Sequence, residues 1–279
     1  MKNGLAIYAG GNHIFYILGV LKYFFERRLK FDAIGTYSAG AGILPFLIDG
    51  NFERAIDIFA RHLDKNSRNI YWQNIFTRER VFPHDEIYRR TISEIINYEK
   101  TIEYDKPLRV VVSEFKSRIF GDSLVGVCAF VALLLNRYSK KTTPSIFLTT
   151  FKSVFSVKGD VIDIRKCKSK DDILNVILGS STIYPFIQLR RRGGNTMLDG
   201  KMSLMSPVDI LEDCENVLSI HAHHTFLTQR NGLVSVFPIN KVKVGPLNYV
   251  GSSEIKSGFA QGYEEGKQLY ERLKQSPFF

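Results

Sequence analysis

Apolar positions along the chain follow two periods. Gly4-Leu5-Ala6-Ile7-Tyr8-Ala9 is a short apolar run that stops at Gly10-Gly11-Asn12, the pattern of a buried strand meeting a turn that a ligand can approach closely. Immediately afterwards Ile14, Ile17, Leu18, Leu21, Phe24 and Phe25 recur at helical spacing, and Arg27, Arg28 and Lys30 gather where they complement a helix C-terminus. The unit then repeats. Phe31-Asp32-Ala33-Ile34-Gly35-Thr36-Tyr37 reads as a strand, Ser38 stands among the small residues Ala39-Gly40-Ala41-Gly42, and a helix follows to about Gly50. Two such units lie parallel through a right-handed crossover, so both glycine-lined turns are expected at one sheet edge.

Further along, Phe52, Ala55, Ile56, Phe59 and Leu63 mark an amphipathic helix, and Asp85 is placed to cap another that carries Ile87, Thr91, Ile92, Ile95 and Ile96. Leu108-Arg109-Val110-Val111-Val112-Ser113, Val161-Ile162-Asp163-Ile164 and Val217-Leu218-Ser219-Ile220-His221-Ala222-His223 read as strands. Asp171 is the expected cap of a helix through Ile173, Leu174, Val176, Ile177 and Leu178; residues 179–186 read as a loop, and a helix over about residues 257–274 closes the chain. Residues 124–135 carry no charge and end in Asn136-Arg137-Tyr138-Ser139-Lys140-Lys141. They fall short of the roughly 20 residues a membrane-crossing helix needs, which leaves a buried helix, the favoured reading, or an interfacial one with a basic-aromatic end.

Composition narrows the picture. With 279 residues, 44% of them hydrophobic, the chain suffices for one sizeable core, and a single α/β domain over residues 1–279 is expected. The net charge of +10 draws anions: phospholipid headgroups, nucleic acid or an acidic protein. Cys128, Cys167 and Cys214 are far apart and lack Cys-x-x-Cys spacing, which argues against a disulfide framework or structural zinc and for a reducing compartment. The first apolar run is too brief for a signal-peptide core and reads as a strand, so a cytoplasmic location is expected, with peripheral contact at a membrane compatible with the charge.

Ser38 is the candidate nucleophile, because a strand turning sharply into a helix exposes a serine hydroxyl beside backbone amides able to stabilise an oxyanion. The usual Gly-x-Ser-x-Gly is altered: Thr36 stands two before the serine, and the glycine has moved to Gly35. Gly10-Gly11-Asn12-His13-Ile14 has neither Gly-x-Gly-x-x-Gly spacing nor a P-loop lysine, so no nucleotide is expected. Asp199, between Leu198 and Gly200, is a candidate catalytic base, although those residues alone favour a turn aspartate. His221 and His223 alternate along a strand and could face one metal, but no acidic or cysteine partner stands at a recognisable spacing; no metal and no cofactor are expected. Arg190-Arg191-Arg192 reads as a solvated hairpin without aromatic interleaving, so no nucleic-acid partner is expected.

Taken in order, the glycine turn at residues 10–12, Gly19-Val20-Leu21, the Ser38 elbow, Ser180-Ser181 before Tyr184-Pro185-Phe186, and Leu198-Asp199-Gly200 through Pro207-Val208 resemble a patatin-like phospholipase. The resemblance implies a three-layer α/β/α domain with a mostly parallel central sheet and a serine-aspartate dyad. Ser38 would be the nucleophile, Asp199 the base, and the amides of Gly10, Gly11 and Ala39 the oxyanion hole, with Asn12, Gly40 and Gly200 supporting the motifs. It further implies an acyl hydrolase of the phospholipase A or lysophospholipase type, acting on membrane phospholipid or lysolipid. The chain departs from the family pattern at Ala9 and His13-Ile14 around the glycine pair, at Thr36, at Lys201 in place of the second glycine after the aspartate, and at Met205, often asparagine. These departures favour the alternative of a weakly active or non-catalytic lipid- or partner-binding protein.

Overall fold

The computed structural model describes residues 1–77, 79–116, 121–138, 146–223, 230–276 and 278, with the side chains of Arg137 and Tyr138 excepted. The chain opens with β1 (Asn3–Tyr8), α1 (Ile14–Glu26), β2 (Ala33–Tyr37) and α2 (Leu44–Asp49), which are the two strand-turn-helix units expected from the sequence. Gly50, at φ +72°, ends α2, and the Asn51 side chain accepts from Arg54 N to start α3 (Phe52–Leu63). Then come α4 (His84–Ile95), α5 (Tyr98–Ile102), β3 (Leu108–Phe115), α6 (Asp122–Tyr138), α7 (Ile146–Val154), β4 (Lys158–Asp163) and α8 (Lys170–Ser180). A hairpin of β5 (Arg190–Arg192) and β6 (Asn195–Leu198) follows, and β7 (Asn216–His221), β8 (Leu233–Val236) and α9 (Ser253–Leu273) end the order.

The strands form one sheet in the order β5-β6-β3-β2-β1-β7-β8, with β4 also on β3. Its centre, β3-β2-β1-β7-β8, is parallel, and the β4, β5 and β6 pairings are antiparallel. The sheet is therefore mixed but mostly parallel, and helices flank it. Period-two alternation divides its side chains between two cores. Leu5, Ile7, Ile34, Val110, Val112, Leu218 and Ile220 join the Phe15, Leu18, Leu21 and Phe24 stripe of α1. Burying each such side chain is worth about 1.5–3 kcal/mol, which is what fixes α1 to this face. On the other face Ala6, Ala33, Val111 and Val217 lie under Val208, Ile210 and Leu211, while α6 and α7 cover Phe115 and Leu198.

Several expectations are corrected. Asp85 does not cap α4; it lies in the first turn and takes hydrogen bonds from Arg80, Gln188 N and Arg190 instead. The cap of α8 is Ser169, whose hydroxyl accepts from Asp172 N, with Asp171 inside the first turn. That helix also runs to Ser180, two residues into the stretch read as a loop, and α9 starts four residues earlier than expected, at Ser253. Residues 124–135 are helical but neither wholly buried nor wholly interfacial: Val125, Ala129 and Ala132 are buried, whereas Leu124, Val127, Val131, Leu134 and Leu135 are exposed. The arginine hairpin is tied down by acids, with Arg190 on Asp85 and Arg191 on Asp122.

Candidate active site

Sheet register brings Ser38 and Asp199 together. Tyr37 pairs with Val111 of β3, and Leu198 of antiparallel β6 pairs with Ser113 further along the same edge, since β4 holds the other edge from Arg109 to Glu114. One residue beyond each pairing, Ser38 and Asp199 meet at the level of Val112, where β2 ends and β6 arrives along the same edge. The two chains abut there: a Cβ at Gly200 would stand 2.7 Å from Tyr37 Cβ. Ser38 Oγ donates to Asp199 Oδ2 at 2.5 Å.

The elbow is held from several directions. Ser38 has φ +53°, a left-handed conformation that is strained for a residue with a side chain and is kept by surrounding contacts. Its amide donates to Ser180 Oγ at 2.8 Å, and that hydroxyl donates onward to Val111 O at 2.7 Å. Thr36, in the place of the elbow glycine, is absorbed by Gly40: a Cβ at Gly40 would stand 2.1 Å from Thr36 Oγ1. The threonine hydroxyl instead donates to Ile7 O at 3.2 Å. Ser38–Ile43 is a 3-10 turn before α2, so the sharp strand-to-helix turn is real but carries one tight turn first.

Asp199 caps the short turn Gly200–Ser203, its Oδ1 accepting from Lys201 N at 3.0 Å. Ser113, the one fully buried polar residue of β3, donates to Gly200 O at 3.0 Å and accepts from Ser203 N at 2.8 Å. The turn reading of Asp199 and the proton-acceptor reading are thus one arrangement: one carboxylate oxygen holds the turn while the other faces Ser38. Burial pushes the Asp199 carboxyl up to about 6, against the opposing pull of the Ser38 hydroxyl, the Lys201 amide and the Lys201 charge.

The glycine turn lies alongside. Ile7 pairs with Thr36, so Gly10 and Ala39 leave adjacent parallel strands at the same level, and the turn Gly11–His13 packs on Ser38–Ile43. Gly11, at φ +53°, leaves no room for a side chain, since its Cβ would meet Pro246 O at 2.0 Å. Gly10 is open, with nothing within 4 Å of a Cβ there. The side chain of Asn12 is engaged on Asn248 O at 2.5 Å and anchors the turn away from the dyad. Because Ser38 N is taken by Ser180, the first amide of the elbow turn without an intrahelical acceptor beyond it is that of Ala39.

His221 is stacked between Tyr8 and Phe237, with ring centroids at 4.3 and 4.6 Å, and its Nε2 is 2.9 Å from Ser219 Oγ. His223 instead faces His13 at 6.0 Å, so the two strand histidines do not share one environment; His224 lies outside the described residues. Among the described residues no three His, Cys, Asp or Glu side chains gather to hold a metal.

The sheet is mixed but mostly parallel, flanked by helices, and holds a buried serine-aspartate pair beyond its strand ends. This chain belongs to the patatin-like phospholipase family, whose model matches residues 5–212. The family is one of lipid acyl hydrolases. No curated protein matches the sequence. Among solved structures, the crystal structure of VipD from Legionella pneumophila is similar at 10% identity over 97% of this chain and 67% of that one, with a TM-score of 0.44, too low to carry an argument about function.

Ser180 and Ser113 acquire roles that residue-by-residue reading did not assign. For Ser113 the available signal was a hydroxyl directly after three valines; Ser180 stands in the polar run Ser180-Ser181-Thr182 and had none of its own.

Proposed function

We propose that this protein is a lipid acyl hydrolase of the phospholipase A or lysophospholipase type. The observation that carries the reading is the 2.5 Å hydrogen bond from Ser38 Oγ to a buried, otherwise unpaired carboxylate oxygen of Asp199. Asp199 takes the serine proton as Ser38 Oγ attacks the ester carbonyl, and the amides of Gly10, Gly11 and Ala39 receive the oxyanion. The proton then passes to the leaving alcohol, and Asp199 activates water to hydrolyse the acyl-enzyme. The unit extends over residues 1–279, because β7 pairs with β1 and Glu265 of α9 binds Tyr16 of α1.

The substrate sits in a lipid surface, and α6 offers a way onto it. Leu124, Val127, Val131, Leu134 and Leu135 are exposed along α6, and α7, which packs on α6, exposes Ile146, Phe147 and Val154. The inner face of α6 rests on Leu198 and Met202, which lie close to Asp199 on both sides in sequence. An apolar helix face on a protein of net charge +10 suits the headgroup boundary of an anionic membrane. Among the described residues no helix is long and apolar enough to cross a membrane. The basic-aromatic end suggested by Arg137, Tyr138, Lys140 and Lys141 lies outside the described side chains.

Hydrolysis of mixed phospholipids by wild type and by Ser38→Ala, together with labelling by a fluorophosphonate probe, tests the reading. Labelling and turnover that vanish in Ser38→Ala are expected; a folded wild type inert in both assays would select the non-catalytic binding alternative. On the surface stripe, Val131→Asp with Leu135→Asp is expected to weaken co-sedimentation with anionic liposomes by about tenfold or more while leaving the melting temperature nearly unchanged. Ala129→Asp, on the buried face, should unfold the helix pair instead.

A further inference from the structure

The segment after α3 is fastened at its base and bare at its tip. Tyr71 N donates to Val81 O at 2.9 Å and Asn74 Nδ2 to Arg80 O at 2.9 Å, so the chain from Tyr71 to Thr77 leaves the body and returns to it. Within it Trp72–Phe76 forms a short 3-10 turn with no buried residue. Trp72 is 64% exposed and Phe76 93%, and Ile75 between them is exposed as well. Single exposed apolar residues are ordinary; three on one short turn, including the only tryptophan of the chain, mark a contact surface.

This turn shares its support with the glycine turn of the candidate active site. Asn69 Nδ2 donates to Asn248 Oδ1 at 3.1 Å, Asn69 Oδ1 accepts from Tyr249 N at 2.7 Å, and Asn66 Nδ2 donates to Tyr249 O at 2.7 Å. Asn12 uses the same segment, its amide donating to Pro246 O at 2.9 Å and its Nδ2 to Asn248 O at 2.5 Å. Just beyond Val81, Phe82 packs on Phe186 with ring centroids at 4.5 Å, and Phe186 packs on Phe130 of α6 at 5.5 Å. The aromatic turn is thus built on the part of the molecule that holds both the glycine turn and α6.

We propose that Trp72, Ile75 and Phe76 form a wedge that enters the headgroup boundary of an anionic bilayer, next to the glycine turn. The choice of a lipid partner rests on the hydrolase reading, and shape and charge favour the same partner. Phe76 has almost no neighbour of its own, so the tip suits a medium that closes around it. A tryptophan beside aliphatic and phenyl side chains is the composition of a membrane-interface contact. Lys65 and Arg68, both exposed, precede the turn, so cations accompany the apolar tip to the anionic headgroups.

Because Trp72 is the only tryptophan, its fluorescence reports on the wedge directly. The Ser38→Ala protein is mixed with vesicles of equal parts phosphatidylcholine and phosphatidylglycerol, which removes turnover. Emission should move to shorter wavelength, and phosphatidylcholine brominated on its acyl chains should quench it. Ile75→Asp with Phe76→Asp is expected to weaken vesicle binding about tenfold or more and to leave the melting temperature nearly unchanged. Ile75→Ser with Phe76→Ser serves if the aspartate variant does not fold. Co-sedimentation with Trp72 emission unmoved would overturn the proposal: α6 would dock alone, and the turn would be left to a protein partner. Vesicle binding unchanged in the double variant, or absent in the parent protein, would overturn it too. Hydrolysis of the same vesicles by wild type is scored separately. A shifted Trp72 without turnover removes the hydrolase reading alone, and turnover with Trp72 unmoved removes the wedge alone.

Discussion

Asp85 and Asp199 are both carboxylates taken out of water, and they differ in their company. The Asp85 side chain is 1% exposed and receives Arg80 at 2.7 Å, Arg190 at 2.9 Å and Gln188 N at 3.1 Å. Asp199, as a residue 3% exposed, receives one hydroxyl and one amide and, among the described residues, forms no ion pair. Two guanidinium groups bind Asp85 and tie α4 to the β5 hairpin. Asp199 is left where ionisation is costly and where a serine hydroxyl is its nearest donor. Equal burial thus yields a fastener in one region and, on the proposed reading, a proton acceptor in the other, and the counter-charge distinguishes them.

The strongest break of this contrast is to neutralise each carboxylate. Asp199→Asn should lower kcat/KM by about 10² to 10⁴, the usual loss on removing a general base, since the amide keeps the shape but accepts no proton. The same change should stabilise the fold at alkaline pH. The Asp199 pKa rises from 3.8 unfolded to about 6 folded, so the stabilising contribution of its protonated form is complete below pH 3.8 and disappears as pH passes 6. Wild type should therefore lose up to about 3 kcal/mol relative to Asp199→Asn between pH 4 and pH 8. Asp85→Asn should do the reverse, costing about 3 kcal/mol by leaving Arg190 without its partner in a mostly buried position. Urea unfolding of the variants at pH 5 and pH 8 checks both signs; destabilisation by Asp199→Asn at pH 8 would mean the two sites are alike.

A smaller effect comes from pH alone. With Asp199 as the base, kcat/KM of wild type should show an acid limb with an apparent pKa of about 6, falling tenfold per pH unit below it. A profile flat from pH 5 to pH 8 would take the base role from Asp199.

How far the sequence reveals these regions follows from the range of the forces involved. The first two units were legible because strand, glycine turn and amphipathic helix are local patterns, and Ser38 stands inside one of them. From its own residues Asp199 was visible only as a residue before a glycine; its meeting with Ser38 depends on β2 and β6 pairing in succession along one edge of β3, across 161 positions of sequence. Asp85 was misread for the same reason. As a helix-start residue it suits a cap, but Arg190, 105 positions away, offers a charge that a capping amide cannot match. The α6 segment escaped a clean reading because an uncharged helix shows no polar face, and only packing against Leu198 and Met202 tells its inner side from its outer one.

The smallest expected effect separates the two partners of Asp85. The Arg80 side chain is 45% exposed and that of Arg190 14%, although their distances to the carboxylate are nearly equal. Distance alone would give both pairs the same worth. Solvent screens the first and leaves the second in a lower-dielectric setting, where Arg190 also donates to Gln188 O and so holds the approach to the hairpin. Arg80→Ala should then cost less than about 1 kcal/mol, and most of that should disappear in high salt. Arg190→Ala should cost about 2–3 kcal/mol, because it leaves a buried carboxylate with only its exposed partner, and salt should change the value little. Urea midpoints for both variants at low and high ionic strength make the comparison. An Arg80→Ala loss as large as that of Arg190→Ala would show that Asp85 is held from the solvent side, and burial of the counter-charge would no longer distinguish it from Asp199.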